Sequence, residues 1–254
     1  MKAQTLWPRL QHELARAWII AEKDIRIYYA KPPVIMWGVA LPFFMFLSWS
    51  VGRNRPVGTL IPGLVAITVF FTASSIGPVV IPWERRARTF ERLLMAPVSL
   101  PAILLGKTLA GVIFGLVVAA LPVIAGLALG ARVTGLAWLI AGLIVSAGAF
   151  SSLGVLFSTI PGQNVGAVMM PATLIRWPLL FVSGLFTPLG DLAWWGQALA
   201  YLSPLTYAHD VINGAMGGTG YLHPALDVAA LVAFWILFLV VGLRLHEAGR
   251  RRGR

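Results

Sequence analysis

The residues best suited to chemistry lie in one short charged segment between Trp83 and Pro101. The segment reads W-E-R-R-A-R-T-F-E-R-L-L-M-A-P-V-S-L-P and holds four arginines and two glutamates within nine residues. Only 11% of the whole chain is charged, and 58% of it is hydrophobic. Guanidinium and carboxylate groups form charge-assisted hydrogen bonds with complementary surfaces. We therefore expect residues 84–97, called the charged island below, to bind another protein.

The spacing of the island's charges predicts a helix with one common binding face. The charged residues recur at intervals of three and four, which places side chains on the same side of a helix. Two apolar residues would anchor that face in a partner, as buried hot-spot residues do in protein interfaces. The alternative is a solvated helix that only fixes the topology of the chain. The binding hypothesis assigns the face to Glu84, Arg85, Arg88, Phe90, Glu91, Arg92 and Leu94.

Arg176 is the one charge that lies midway along an apolar stretch. A charged residue there costs at least ~2.5–3.5 kcal/mol on membrane-insertion scales, so it needs a compensating partner. One interpretation pairs it with backbone carbonyls that Pro171 and Pro178 leave free, or with water. The other makes it a cation that lines a transport pathway and meets an anionic headgroup.

Residues 188–223 contain no lysine or arginine but carry several tryptophans and tyrosines. Such residues collect at the membrane–water interface, which favours a simple aromatic belt. The alternative is an outer rim that an amphipathic cargo meets on its way out. The apolar piece L-A-W-W-G-Q-A-L-A-Y-L is too short to span a bilayer, which predicts a re-entrant or surface helix. The pathway hypothesis combines Arg176, Ser183, Trp194, Trp195 and Tyr207.

No other motif indicates a catalytic, nucleotide-binding or metal site. Gly106-Lys107-Thr108 looks like the end of a phosphate-binding loop, but Pro101 stands where the loop needs a glycine and no strand precedes it. There is no cysteine, and the four histidines do not cluster in sequence. All nine carboxylates fall in loops, termini or the edges of apolar stretches, which argues against a proton-driven carrier and an intramembrane protease. We expect no cofactor in this chain.

The elements that position these residues are predicted to be membrane-spanning helices. The mean hydropathy is +0.82, and apolar runs of about 18 residues or more are too many for a soluble core to hide. Backbone groups in lipid must be satisfied within the segment, so the runs are helices, and the alternating segments of a barrel are absent. The fold class is all-α, with six spans at residues 34–51, 58–81, 102–129, 135–160, 166–187 and 225–244.

The distribution of positive charge predicts the orientation of the chain. The net charge is +11, but sixteen of the twenty lysines and arginines lie on one side of the six-span topology. That asymmetry indicates contact with membrane lipid rather than nucleic acid, and it places both termini and the charged island in the cytoplasm. The predicted parts are an amphipathic interfacial helix in residues 1–31, the six-span unit in residues 32–246 and a basic tail in residues 247–254.

Two sequence stretches resemble the signature of type-2 ABC transporter permeases. The first, P-W-E-R-R-A-R-T-F-E-R-L-L-M-A-P-V-S-L-P-A-I-L-L-G-K-T-L-A-G, is similar to the family's T-x-E-x-L-x-x-x-P run followed by Gly-Lys at the third span. Arg88 stands where a glycine is common. The second, F-V-S-G-L-F-T-P-L with S-P-L-T-Y-A-H-D, precedes the last span. The resemblance covers about residues 10–245, and the subgroup it fits best contains daunorubicin-type drug-resistance and lipo-oligosaccharide export permeases. The matching positions of the first stretch are Glu84, Thr89, Glu91, Leu93, Pro97, Gly106 and Lys107.

The resemblance implies a six-span permease subunit of an ATP-driven exporter in the inner membrane of a prokaryote. Such permeases pair with a second copy or a homologous permease and with two copies of a separate ABC ATPase, which holds ATP and Mg²⁺. The resemblance also implies that the charged island is the helix that couples the permease to the ATPase. The cargo is expected to be amphipathic, such as a drug, lipid or glycolipid. The alternatives are a gradient-driven secondary carrier or channel and a membrane scaffold without transport activity.

Overall fold

The computed structural model describes residues 6–50, 57–162 and 164–251, and within those ranges the chain is helical and contains no strand. The first part consists of α1 (Leu6–Tyr28), α2 (Pro32–Ile35), a π-helical segment (Met36–Ala40) and α3 (Leu41–Ser50). The rest consists of a 3₁₀ turn (Val57–Leu60), α4 (Ile61–Arg86), α5 (Thr89–Met95), α6 (Leu100–Ala128), α7 (Leu136–Phe157), α8 (Val165–Phe181), a second 3₁₀ turn (Leu189–Asp191), α9 (Trp194–Tyr201), α10 (Pro204–Ala215) and α11 (Pro224–Arg251). The prediction of an all-α fold is confirmed for the described residues.

Four of the described helices, α4, α6, α7 and α11, are long and apolar enough to cross a membrane. They correspond to four of the six predicted spans. The span predicted at residues 166–187 overlaps α8, which is apolar but only 17 residues long. The span predicted at residues 34–51 contains a helical run interrupted by the π-helical segment, and residue 51 lies outside the described residues. The six-span layout therefore stays a prediction.

The central helix of the bundle is α4. Its sequence is apolar or small on every side rather than along one stripe, which is typical of a helix surrounded by others. Accordingly, α4 is the most completely buried of the four long helices, and α11 is the least. Phe70 and Phe71 of α4 are both fully buried, and Phe70 makes an edge-to-face contact with Phe150 of α7 at a ring-centroid distance of 4.9 Å. The hydrophobic core lies around this contact, between α4, α6, α7 and α10.

The helix ends gather at two opposite ends of the bundle. At one end, α1 meets α4 through the Lys23–Glu84 ion pair, and the chain after α7 meets α11 through Ser158 and His246, whose polar atoms are 3.2 Å apart. At the other end, the backbone N–H of Thr134 donates to the carbonyl of Ala215 at 2.9 Å. We call the first the charged end. Helices α4, α7 and α11 finish there and α6 begins there, which is the alternation that a spanning bundle requires.

Helix α1 lies at the charged end and packs along α6. Its buried side consists of small and branched residues, Ala17, Ile20 and Ala21, whereas Leu14 and Trp18 are 62% and 54% exposed. One apolar side of α1 therefore faces the protein while another remains open, as an interfacial helix requires. Its location in the headgroup plane remains a prediction, and residues 1–5 lie outside the described part of the chain.

Candidate docking site at the charged end

The charged island folds as two helices separated by a turn, so the single common face expected from its spacing is wrong. Helix α4 ends at Arg86 and α5 begins at Thr89. Between them, Arg88 adopts a left-handed conformation with φ 53° and ψ 22°. A side chain in that conformation is uncommon because its Cβ crowds the backbone, whereas glycine adopts it freely. The same geometry gives a physical reason why glycine suits this position in similar sequences.

Glu84 lies inside the protein rather than on the binding face. It is 1% exposed, and its carboxylate accepts a hydrogen bond from Lys107 Nζ at 2.6 Å and another from Lys23 Nζ. Asp24 completes the group, with Oδ2 at 3.2 Å from Lys107 Nζ and Oδ1 at 2.8 Å from Lys23 Nζ. Two cations thus alternate with two anions, which is how charges can be buried together. We call these four residues the ion cluster, and it joins α1, α4 and α6.

The protonation of Lys23 follows from its neighbours. Burial alone would lower the pKa of Lys23, but the carboxylates of Asp24 and Glu84 outweigh burial and raise the pKa above its usual value. Lys23 therefore stays positively charged and completes the neutral ion cluster.

The sequence pair Gly106-Lys107 builds the contact between α6 and α1. A Cβ atom at position 106 would lie 2.6 Å from the carbonyl oxygen of Ala17 and 2.8 Å from Cβ of Ile20. Glycine is needed there because a side chain would push α1 away. The next residue then points its ammonium group into the ion cluster. At the start of α6, the Ser99 hydroxyl accepts from the N–H of Ala102 at 3.2 Å and donates to the carboxylate of Glu13, which adds a second tie to α1.

The apolar residues of the island face the bundle instead of projecting from it. Phe90 is only 6% exposed and clusters with Ile20, Ile81 and Ile103, and Leu94 is partly buried beside it. These two residues therefore anchor α5 to its own protein, and their role as anchors for a partner stays a prediction. The apolar side of a short helix is buried here by the nearest apolar surface, which three other helices of the same chain provide.

The exposed residues of the island define what a partner can reach. The guanidinium of Arg85 is half-buried and lies 5.7 Å from the ring centroid of Phe90. The remaining face is mainly basic and carries one carboxylate and one thioether, and Met95 is 78% exposed. We call this set the docking face, and it consists of Arg86, Arg88, Glu91, Arg92 and Met95. Three of these five residues were predicted from the sequence, whereas Arg86 and Met95 were not.

The residues of the predicted cargo pathway differ in accessibility. Arg176 is fully buried, and Ser183 is 1% exposed and donates to the carbonyl of Leu180 at 2.7 Å. By contrast, Trp194 and Trp195 are 82% and 58% exposed on α9. The Tyr207 hydroxyl donates to the carbonyl of Tyr201 at 2.9 Å. In this conformation a cargo molecule reaches the two tryptophans but not Arg176 or Ser183, so the pathway itself remains a prediction.

Sequence reasoning missed the ion cluster, although one of its members carried a signal. Lys107 lies in an otherwise apolar helix, and a buried lysine requires an acidic partner. That partner cannot be identified from the sequence, because Asp24 and Glu84 lie 83 and 23 residues away.

A helical bundle with apolar helices of spanning length, and with a buried ion cluster and an exposed basic face at one end, is the architecture of an integral membrane protein. Residues 15–216 match the family described as ABC-2 type transporter, and the chain belongs to that family. The family resemblance predicted from the two motifs is therefore confirmed.

Three relatives show how far the similarity extends. The chain is 28% identical over 235 residues to Nodulation protein J of Rhizobium leguminosarum bv. trifolii, which covers 89% of this chain and 84% of that protein. It is 24% identical over 254 residues to the inner membrane transport permease YadH of Escherichia coli strain K12, covering 97% and 95%. It is 28% identical over 200 residues to the daunorubicin resistance ABC transporter permease protein DrrB1 of Streptomyces coeruleorubidus, covering 75% and 66%. The similarity to YadH thus extends over almost the whole chain.

Proposed function

We propose that this chain is the permease subunit of an ATP-driven exporter whose ATPase is a separate chain. The observation that carries the proposal is the docking face, an exposed and mainly basic surface that the end of α4, the following turn and α5 form at one end of a membrane-type bundle. Membership of the ABC-2 type transporter family supports it, as do two relatives that are named as permeases. The ATPase binds ATP and Mg²⁺, and the permease contributes no nucleotide site.

The geometry supplies a route from the docking face to the membrane helices. Helix α5 is short, is held to the bundle by Phe90, and is flanked directly by α4 and α6. Glu84 and Lys107 join those two helices at 2.6 Å within the buried ion cluster. A displacement of α5 by an ATPase therefore moves α4, α6 and α1 together as one body, which is a common form of switching motion in proteins.

The proposed assembly contains two permeases, either identical or homologous, and two ATPases, in the inner membrane of a prokaryote. The charged end faces the cytoplasm, because most of the basic residues lie there. A single cysteine in place of Met95 tests this orientation, since the chain has no cysteine of its own. Labelling of that cysteine by an impermeant reagent from outside the cell would contradict it.

The proposed cargo is an amphipathic molecule, such as a drug, a lipid or a glycolipid. The relative named for daunorubicin resistance supports the drug class. The exposed tryptophans of α9 offer an aromatic surface to a molecule that leaves through the membrane–water interface on the outer side of the inner membrane. A panel of drugs and glycolipids that stimulate ATP hydrolysis by the reconstituted complex would identify the class.

The decisive test reverses two charges of the docking face. The double variant Glu91→Arg/Arg92→Glu keeps the net charge of the chain and leaves the ion cluster untouched. It is expected to insert normally but to lose the ATPase, or to bind an ATPase that hydrolyses ATP without transport. Pull-down of the ATPase and ATP-driven efflux are measured in one preparation. Arg132→Glu, at the opposite end and also exposed, is the control and is expected to retain both activities. Normal binding and efflux in the double variant would show that the docking face is not the coupling element.

One observation favours the alternative of a gradient-driven carrier. Asp227, near the start of α11, is 1% exposed, and neither of its carboxylate oxygens has a hydrogen-bond partner in the described part of the protein. Buried carboxylates of this kind carry protons in some transporters. Efflux that persists without ATP, is abolished by an uncoupler and is lost in Asp227→Asn would support this alternative. Efflux that requires ATP and survives Asp227→Asn would support the exporter.

A further inference from the structure

The central helix α4 contains an internal proline at position 78 that leaves one carbonyl without its usual partner. In an α-helix the N–H of each residue donates to the carbonyl four residues earlier, and proline has no N–H. The carbonyl affected by Pro78 is that of Ser74. Ser74 is 0% exposed, so bulk water does not reach it, and an unpaired buried carbonyl is costly. The protein therefore needs another donor at this point.

Arg176 of α8 provides that donor. Its Nη2 donates to the carbonyl oxygen of Ser74, and its guanidinium carbon lies 5.4 Å from the ring centroid of Phe157. The other contact of the group is weak, with Nη1 at 3.5 Å from Met169 Sδ. Within the described residues, Nε has no hydrogen-bond partner. The Ser74 carbonyl is thus the main polar partner of a fully buried cation.

A third helix meets the same carbonyl. A Cβ atom at Gly154 of α7 would lie only 2.6 Å from the Ser74 carbonyl oxygen, and one at Gly77 of α4 would lie 2.2 Å from the Gly154 carbonyl oxygen. The backbones of α4 and α7 are therefore in direct contact one residue before Pro78. Helices α4, α7 and α8 thus converge on one carbonyl that has no partner within its own helix, and the donor arrives from α8.

We propose that Arg176 is a positioning residue that pairs with the carbonyl released by Pro78 and thereby sets the position of the part of α4 that follows Pro78. That part of the helix leads directly to Glu84 and the docking face. The role in fixing α4 does not depend on the exporter hypothesis, whereas the effect on transport rests on the proposed function. The alternative considered from the sequence placed the freed carbonyls near Pro171 and Pro178 of α8, whereas the carbonyl that Arg176 contacts lies in α4, before Pro78.

A double-mutant cycle tests the pairing. Pro78→Ala restores an N–H to α4 and so gives the Ser74 carbonyl a partner within its own helix. Arg176→Met then removes a donor from a carbonyl that is already satisfied. The equilibrium constant for unfolding of the full-length chain is measured in detergent micelles. Arg176→Met is expected to raise this constant about tenfold more in the wild-type background than in the Pro78→Ala background, since contacting residues couple by this order.

Pro82→Ala is the matched control. It lies one turn further along α4 and restores a donor for the carbonyl of residue 78, which Arg176 does not contact. It is expected to leave the cost of Arg176→Met unchanged. If Arg176→Met does not fold, the cycle is run with Arg176→Lys, which keeps the charge but has fewer donors. Equal costs in all three backgrounds, or the same rescue by Pro82→Ala as by Pro78→Ala, would overturn the proposal.

Transport provides a readout that a purely stabilising contact would not move. Pro78→Ala gives the Ser74 carbonyl a partner within α4 and is expected to lower ATP-driven efflux several-fold while the unfolding constant also falls. Unchanged efflux in Pro78→Ala would overturn the proposed effect of this contact on transport. If the wild-type complex shows no ATP-driven efflux, the proposed function fails, and the cycle alone decides whether Arg176 and Pro78 are coupled.

Discussion

Removal of Lys107 from the ion cluster gives the sharpest test of how the charged end is held together. Lys107, Glu84 and Asp24 are 1%, 1% and 0% exposed, so water cannot replace a missing partner. In Lys107→Met, two buried carboxylates would share the single ammonium group of Lys23. Loss of one partner from a buried ion pair typically costs about 3–5 kcal/mol in the free energy of unfolding, and we expect a loss in that range.

A compensating substitution separates the effect of charge from that of packing. Adding Glu84→Gln to Lys107→Met removes the surplus negative charge and leaves Lys23 paired with Asp24. The double variant is therefore expected to recover most of the stability that Lys107→Met loses. Simple loss of packing would instead make the double variant less stable than either single variant.

The assay is equilibrium unfolding of the purified full-length chain, with an exposed ion pair as the control. Arg26 and Glu22 of α1 form a pair at 2.5 Å, with side chains that are 75% and 44% exposed. Such a pair is worth only about 0.3–0.5 kcal/mol, so Arg26→Met should be nearly neutral. The reasoning is refuted if Lys107→Met costs no more than Arg26→Met, or if Glu84→Gln adds to the loss.

Two further predictions concern the contacts that hold α1 to the bundle. Gly106→Ala places a Cβ atom 2.6 Å from the carbonyl oxygen of Ala17, so it is expected to lower the free energy of unfolding by about 1–3 kcal/mol. The control is Gly190→Ala, which should be nearly neutral because no atom lies within 4 Å of the added Cβ. Equal effects of the two substitutions would contradict the close packing of α1 on α6. The raised pKa of Lys23 predicts a stabilisation that is fully present below its usual pKa of 10.5 and declines as the pH rises through the higher folded-state value. The stability difference between the wild type and Lys23→Met should therefore be constant at neutral pH and shrink in alkaline solution, and a difference that grows with pH would contradict the assignment.

Several features of this protein follow from the sequence because they depend on local chemistry. The all-α class and four of the predicted spans required only the length and apolar character of each segment. The family was recognisable from two short motifs. The charged island was predicted to bind a partner because arginine and glutamate rarely concentrate in a loop of an apolar chain. Arg88, Glu91 and Arg92 are exposed there.

Tertiary structure alone decided which charges bind partners inside the protein and which remain available outside. Glu84 and Glu91 lie in the same charged island, yet one is buried and the other exposed, because α1 and α6 bring Lys23 and Lys107 to the first. The hydrogen-bond acceptor of Arg176 likewise could not be identified from the sequence of α8, because the acceptor lies 102 residues away. Sequence periodicity reports which residues share a helix face, whereas electrostatic pairing depends on which other helix that face meets. That choice is made only when the helices pack.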